Sequence, residues 1–542
     1  MTRTASTEHP MHTDLSALWT QAIADFEAGR FAESDALCVQ LIQQAPDKPL
    51  AYALLARICH AMGLVREATF NAFQASQRVE GQSAEDILIV STLLTDLTEW
   101  QLAKASLGFI DPDRIGPETL LGLGRQYSTL DDQPRALDCI RRARAAGLEG
   151  PFVAHMEGIV LSFTGPIDQA VAACEEAVAQ APAYGHAHWS AAQFGRKDGG
   201  LSRIERMRAA LQEDGLSNED ITYLHFGLFK ELDTLDDTDA AWDALVSGAR
   251  ARRSVTNHDA SRETAAFDAL IAATPASYLE QVADVPRDAT PIFVVGMPRT
   301  GTTLLERILG NHPQIETCGE LNDFRQQMQW ANNRRTSLTL DVDVGPFVAG
   351  LDANVLGKRY LAKTKWLTRG KAFYSDKHPL NMLWCGPILK ALPHAKIIHL
   401  RRNPMDSCFS NLKELFAPEY YPYSYALDEL AAHYRNYNRL MQHWHAIAPG
   451  RILDVRYEDL VMHPEHEARR VQEYLGLPAV EGVTDILANR KVTTTASTLQ
   501  LRQPIHTRNI AGWKRYARGL APLEALLQDL IDAYEGRAAA AA

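Results

Sequence analysis

The chain has 542 residues, 46% of them hydrophobic and 23% charged, with a formal net charge of -12. Length and composition fit a soluble globular protein of about three or four domains. The acidic balance argues against a general nucleic-acid or anionic-membrane surface, and no stretch approaches the ~18 consecutive apolar residues of a membrane span. Seven cysteines (Cys38, Cys59, Cys139, Cys174, Cys318, Cys385, Cys408) lie scattered without C-x-x-C spacing. They read as reduced thiols of a cytoplasmic protein, not as disulfides or a zinc site. Residues 1–14 carry acids, histidines and a proline without an apolar run, which reads as a flexible N-terminus and no signal peptide.

From 15 to 250 the chain is rich in alanine and leucine at helical spacing. Ser34, Ala68, Ala136 and Ala170 share one phase of a 34-residue period, with Ala103 one residue out of step. Gly29-Arg-Phe-Ala-Glu-Ser and Gly63-Leu-Val-Arg-Glu-Ala each read as a turn followed by a helix start. Pro46 and Pro182 each fall where a second helix should end. The pattern resembles the tetratricopeptide repeat, whose unit is a helix pair. That resemblance implies a helical solenoid able to hold a peptide or protein, or one that only braces the second half or mediates dimerisation. A helical linker over 251–288, with a helix from Ser261 to Ala272, then leads through Pro275 and Pro286 to a domain boundary near residue 285.

Pro291 to Leu309 reads as a buried strand, a glycine-punctuated turn and a helix start in succession. Ile292 to Val295 form an apolar run suited to a parallel strand covered on both faces. Gly296 and Gly301 bracket the turn, and Thr302 and Thr303 open a helix whose free N–H groups point back at it. Such a turn holds phosphate or sulfate. Its spacing fits G-x-x-x-x-G-K-[ST] except that Thr302 stands where the lysine should be, which leaves Arg299 as the turn's cation. The alternative is a strand–turn–helix packed with small residues that binds nothing.

Further along, Ile315 to Leu321 reads as a short strand that ends near Glu320, at the strand end where open parallel sheets bind ligands. Glu320 can otherwise be a first-turn acid that favours a helix dipole. Tyr374-Ser-Asp-Lys-His-Pro-Leu380 reads as a polar turn before an apolar helix (Leu380 to Leu392), with Lys377 a candidate cation. Ala395 to Leu400 is a second strand delivering Arg401 to Ser410, where Arg402 and Ser410 can grip a second phosphate. That segment can also be a plain turn capped by Asn403 or Asp406. Arg451 to Val461 is a third strand running into a helix. Ser497 to Lys514 is a basic segment with Arg502, Arg508 and Lys514, able to close over a nucleotide or simply solvated, and a final helix spans Leu523 to Tyr534. The aromatic segment Phe416 to Tyr425 suits either an acceptor cleft or packing. His443 and His445, two apart on a helix, make a poor metal pair.

The P-R-T-G-T-T turn and the R-N-P-M-D-S-C-F-S segment together carry a second resemblance. Residues 289–536 resemble the sulfotransferases that use 3′-phosphoadenosine 5′-phosphosulfate (PAPS), most closely bacterial proteins that join tetratricopeptide repeats to a tyrosylprotein-sulfotransferase-like domain. The implied fold is an α helical repeat followed by an α/β domain with a parallel sheet and a phosphate-binding loop, and a disordered tail over 537–542. Carried over by motif, the resemblance implies that Arg299, Thr300, Gly301, Thr302 and Thr303 hold the 5′-phosphosulfate. Arg402 and Ser410 would hold the 3′-phosphate, with Tyr457, Ser497 to His506 and Lys514 as further nucleotide contacts. Glu320 falls at the family's general base, and Lys377 and Ser497 where groups steady the transferring sulfuryl. Thr300 replaces the more usual serine, and Arg502-Gln503-Pro504 replaces a Lys-Pro pair.

The implied reaction moves a sulfuryl group from PAPS to an acceptor hydroxyl without a metal. A protein tyrosine is one acceptor, reached through the repeats; glycan, lipid and small-molecule acceptors stay open, and neither nucleic acid nor a membrane span is expected. Two other readings compete. A small-molecule kinase on the same strand–loop–helix would need magnesium and a lysine in the loop, and a repeat scaffold would carry an inactive second domain.

Overall fold

The computed structural model of the chain describes residues 14–195, 201–337, 340–417, 419–489 and 502–536. Small residues set the repeat because they stand where helices touch. Ser34, Ala68, Ala103, Ala136 and Ala170 are fully buried, and each is the fourth residue of its helix (Phe31–Gln44, Val65–Ser76, Trp100–Leu107, Gln133–Ala145, Ile167–Gln180). Ala103 therefore slips in sequence together with its whole helix and keeps its place in the packing. Ser34 meets the same requirement with a hydroxyl, which donates to Ala22 O at 2.7 Å.

Two compact units divide the chain, 1–146 with 333–336 and 147–332 with 337–542. In the first, Leu15–Glu27, Pro49–Ala61, Ala84–Asp96 and Pro117–Thr129 each precede a partner helix named above. Ile87, Val90, Leu94 and Leu123 lie in its core. The second unit opens with the pairs Pro151–Thr164 with Ile167–Gln180, Gly185–Phe194 with Leu201–Ala210, and Asn218–Thr234 with Thr238–Ser254. Helix Ala260–Ala273 follows, and then the sheet.

The division falls at 146/147 and not at the change of composition near residue 285, and packing explains it. Leu224, Phe226 and Leu245 of the last repeat helices share one core with Phe293, Val295 and Tyr360 of the sheet layer. Arg253 ion-pairs with Glu429 at 2.7 Å, and Arg252 donates to Phe416 O. Repeat-type helices are thus built into the unit that carries the sheet.

Five parallel strands, β1 (Thr290–Gly296), β2 (Ile315–Thr317), β3 (Phe373–Asp376), β4 (Lys396–Arg401) and β5 (Ile452–Arg456), order as β2-β3-β1-β4-β5. β1 alternates between two cores, Phe293 and Val295 into one and Ile292 and Val294 into the other beside Leu305 and Ile308. β3 corrects the expected polar turn at Tyr374. Its polar side chains are buried but satisfied: Tyr374 Oη pairs with Thr364 Oγ1 at 2.8 Å, Ser375 Oγ donates to Glu306 Oε1 at 2.7 Å, and Asp376 accepts from Tyr360 and Asn381. Leu380 to Leu392 is likewise not one helix but a 3-10 segment, Pro379–Trp384, followed by helix Cys385–Ala391. All seven cysteines are free thiols, and all but Cys318 are buried. Among the described residues no helix is long and apolar enough to cross a membrane.

Candidate active site

β1 ends in the glycine turn at the centre of the sheet. Gly296 has φ 149°, and a Cβ there would stand 2.5 Å from Leu400 O of β4, so only glycine lets the turn leave the strand this close to its neighbour. Gly301, at φ 101°, lies against Tyr457, whose ring a Cβ would meet at 2.6 Å. Between them Arg299 takes φ 67°, and its Nε lies 3.4 Å from Glu414 Oε2. Thr300 turns its hydroxyl inward to Met297 O at 2.7 Å. Helix Thr302–Leu309 begins at once and is directed at this turn.

β4 delivers the second grip. Asn403 caps helix Pro404–Leu412 by accepting from Met405 N at 3.0 Å and Asp406 N at 3.3 Å. The guanidinium of Arg402 spans the two loops, donating to Arg299 O at 3.0 Å and Asn509 O at 2.6 Å, and lies 4.6 Å from the centre of the Tyr457 ring. Its Nε is buried with no partner among the described residues, the signature of a donor that awaits an anion. Asp406 accepts from Ala511 N at 2.7 Å and Trp513 N at 3.2 Å, which ties the late basic segment to this helix.

These elements surround an open cleft. Arg299, Gly301, Thr303, Arg402, Ser410 and Tyr457 line it, as do Gln503 to His506 of the late segment. Thr300 and Thr302 are buried and do not line it, and Lys514 is exposed and does not line it either. Ser497 lies outside the described residues.

A carboxylate–ammonium pair assembles from two strand ends. Glu320 follows β2 and Lys377 follows β3, and Lys377 Nζ donates to Glu320 Oε1 at 2.5 Å. Lys377 is fully buried, whereas the Glu320 side chain stays 41% exposed and so remains open to a ligand. Glu320 lies three residues before helix Asp323–Asn332 and so is not in its first turn. Burial works to raise its pKa, but Lys377, His378 and Arg299 outweigh it and hold the carboxyl below the usual range, ionised at neutral pH. Burial also pushes the His378 imidazole down to about 4, so that it is neutral beside them. Glu306 Oε1 accepts from Gly319 N at 2.9 Å and from Ser375 Oγ, and Lys377 N donates to Gly319 O at 2.9 Å. Helix Thr302–Leu309 therefore holds the Glu320 turn as well as the anion turn.

Sequence reasoning missed Glu306, Asp406 and Lys413. The first two act through backbone partners distant in sequence, which no motif announces. Lys413 lines the cleft, and burial pushes its ammonium down to about 8, opposed by Asp233 and reinforced by Lys230, Arg402 and Arg299. Its signal was a lone lysine one residue past an apolar helix. His443 and His445 go separate ways, to Thr274 at 2.9 Å and Asp454 at 2.9 Å. His399, His445 and Asp454 form a group of metal-type ligands among the described residues. It is closed by its own bonds: His399 reaches Asp454 at 2.8 Å and Tyr437 with its other nitrogen, and Arg401 takes the second Asp454 oxygen at 3.1 Å.

The description "Sulfotransferase family" matches residues 291–481. A protein of Aquifex aeolicus (strain VF5) described as uncharacterized is 28% identical over 334 residues, 60% of this chain and 44% of that protein. Protein-tyrosine sulfotransferase 1 of Danio rerio is 27% identical over 204 residues, 35% of this chain and 54% of that protein. The chain thus spans about half the length of these curated relatives. Among solved structures, the sulfotransferase domain of the Synechococcus PCC 7002 olefin synthase aligns at 21% identity and a TM-score of 0.33, over 42% of this chain and 89% of that one. A tetratricopeptide repeat protein from Parabacteroides merdae aligns at 16% identity and a TM-score of 0.29, over 43% and 91%. The chain carries a sulfotransferase-family domain that follows tetratricopeptide-like helix pairs.

Proposed function

We propose that the protein transfers a sulfuryl group from PAPS to an acceptor hydroxyl, a protein tyrosine being the acceptor the reading favours. The observation that carries it is the convergence of two anion grips, Arg299, Gly301 and Thr303 on one side and Arg402 with Ser410 on the other, on one cleft whose loop is held by the same helix as Glu320. The Arg402 Nε, without a partner among the described residues, fits the 3′-phosphate, and the Arg299 turn with the helix N-terminus fits the 5′-phosphosulfate. Tyrosine as acceptor draws its support from the relatives named protein-tyrosine sulfotransferase.

In this reading the acceptor oxygen attacks sulfur in line, the bond from sulfur to the 5′-phosphate oxygen breaks, and adenosine 3′,5′-bisphosphate (PAP) leaves with the electron pair. Glu320 takes the acceptor proton. A tyrosine, with an ordinary pKa of about 10, needs that help at neutral pH. Lys377 begins on Glu320 and turns toward the sulfuryl as charge develops there. Glu320 then loses its counter-ion, and its basicity rises when the proton must be accepted. No step calls on a metal.

Calorimetric titration with PAP, beside ATP with magnesium, tests the donor. Tight PAP binding is expected; preference for ATP would replace this reading with the kinase, and binding of neither would favour the scaffold. Lys413 adds a pH signature. Below about 8 its cation attracts the nucleotide, and above that value the neutral amine does not, so PAP affinity falls as pH rises through about 8. The Lys413→Gln protein should show a flatter profile from neutral to alkaline pH, and parallel profiles would remove Lys413 from the site.

A further inference from the structure

Arg502 directly precedes the residues of the late basic segment that line the cleft, yet it does not line the cleft itself. Nη2 donates to Ser162 O at 2.6 Å and Phe163 O at 3.4 Å, and Nη1 donates to Gly165 O at 3.4 Å. These carbonyls end helix Pro151–Thr164. The last C=O groups of a helix have no intrahelical partner, and the negative end of the dipole favours a cation there. The residues that follow, Gln503 to His506, line the cleft. At its far end the segment is fixed to the second grip, through Asn509 O on Arg402 and the Ala511 and Trp513 N–H groups on Asp406. Residues 503–508 therefore lie between two anchors, one on the anion-binding helix and one on a repeat-type helix.

We propose that Arg502 is a positioning residue that fastens the cleft-closing segment to helix Pro151–Thr164 and so makes that helix pair part of the nucleotide site. The proposal rests on the sulfotransferase reading for the identity of the ligand, an adenosine bisphosphate. Arg502 does not line the cleft, so it acts on the ligand only by holding Gln503 to His506 against it. Order at the end of helix Pro151–Thr164 and occupancy of the cleft are then coupled, and the coupling runs both ways. A molecule that grips this helix pair changes nucleotide affinity, and bound nucleotide steadies the helix end.

Hydrogen–deuterium exchange on the full chain tests this, with wild type, Arg502→Ala and Arg502→Lys compared with and without PAP. Without ligand, amides in 503–512 should exchange faster in Arg502→Ala, and Arg502→Lys should restore part of the protection because a lysine reaches fewer carbonyls. With PAP, wild type should gain protection in both 503–512 and 158–165, and Arg502→Ala only in 503–512. Loss of charged hydrogen bonds should raise the PAP Kd of Arg502→Ala about tenfold, with kcat at saturating donor unchanged. Free-state exchange over 503–512 that is the same in Arg502→Ala and wild type, or PAP protection of 158–165 that survives in Arg502→Ala, overturns the strut. If wild type fails to bind PAP, the sulfotransferase reading falls, while the ligand-free exchange still decides the role of Arg502.

Discussion

Replacing Glu320 by glutamine should lower turnover by about 10²–10⁴-fold, the usual contribution of a positioned general base, and leave PAP affinity unchanged. Glutamine is the informative choice. Lys377 is fully buried and donates to Glu320 at 2.5 Å, so alanine would strand a buried ammonium and confuse lost chemistry with lost stability. Glutamine keeps the shape and an acceptor oxygen for Lys377 but cannot take the acceptor proton. The pH profile supplies a second readout. Because Lys377, His378 and Arg299 overcome burial and hold the Glu320 carboxyl below its ordinary range, the acid limb of kcat/KM in wild type should lie below the ordinary glutamate pKa of about 4.3. As pH falls through that depressed value the base is protonated and the rate drops. Single-turnover measurement with a tyrosine-containing peptide checks both statements, and full turnover in Glu320→Gln would remove the base assignment.

How much of this was legible in sequence depended on whether the relevant partner lay nearby. β1 and β4 could be read because Ile292 to Val295 and Ile397 to Ile398 are apolar runs buried on both faces. The anion turn could be read because its glycines, Arg299 and the helix start sit within a few residues. β3 could not. Tyr374, Ser375 and Asp376 look like a turn until Thr364, Glu306 and Tyr360 are brought to them, and a satisfied polar strand has no apolar period to reveal it.

The same distinction applies to the site. Glu320 and Lys377 were each legible as groups at element ends, but their pairing joins residues 57 apart. Lys413 depends on Asp233, a residue of the last repeat helices, which also accepts from Arg515 at 2.5 Å and Tyr516 at 2.7 Å. A boundary drawn from composition near residue 285 separates those groups, whereas the shared core of Phe226, Leu245 and Phe293 holds them in one unit.

Arg402→Ala should weaken PAP binding by roughly ten- to a hundredfold, the range for loss of charged hydrogen bonds, and the loss should be selective for the 3′-phosphate. Three roles meet in this side chain. It bridges Arg299 O and Asn509 O, it covers the Tyr457 ring, and it leaves Nε buried without a partner among the described residues. The first two position loops and would affect any nucleotide; the third is spent only on an anion. Comparing PAP with adenosine 5′-phosphate, which lacks the 3′-phosphate, separates them. Wild type should bind PAP much more tightly, and Arg402→Ala should lose most of that preference while its affinity for the monophosphate falls far less. Arg402→Lys should recover little, because the donors of an ammonium sit on one nitrogen and cannot span the positions that Nη1, Nη2 and Nε of the planar guanidinium reach separately. Equal losses for both nucleotides in Arg402→Ala would assign the residue to loop architecture alone and leave Ser410 and Lys413 as the groups that read the 3′-phosphate.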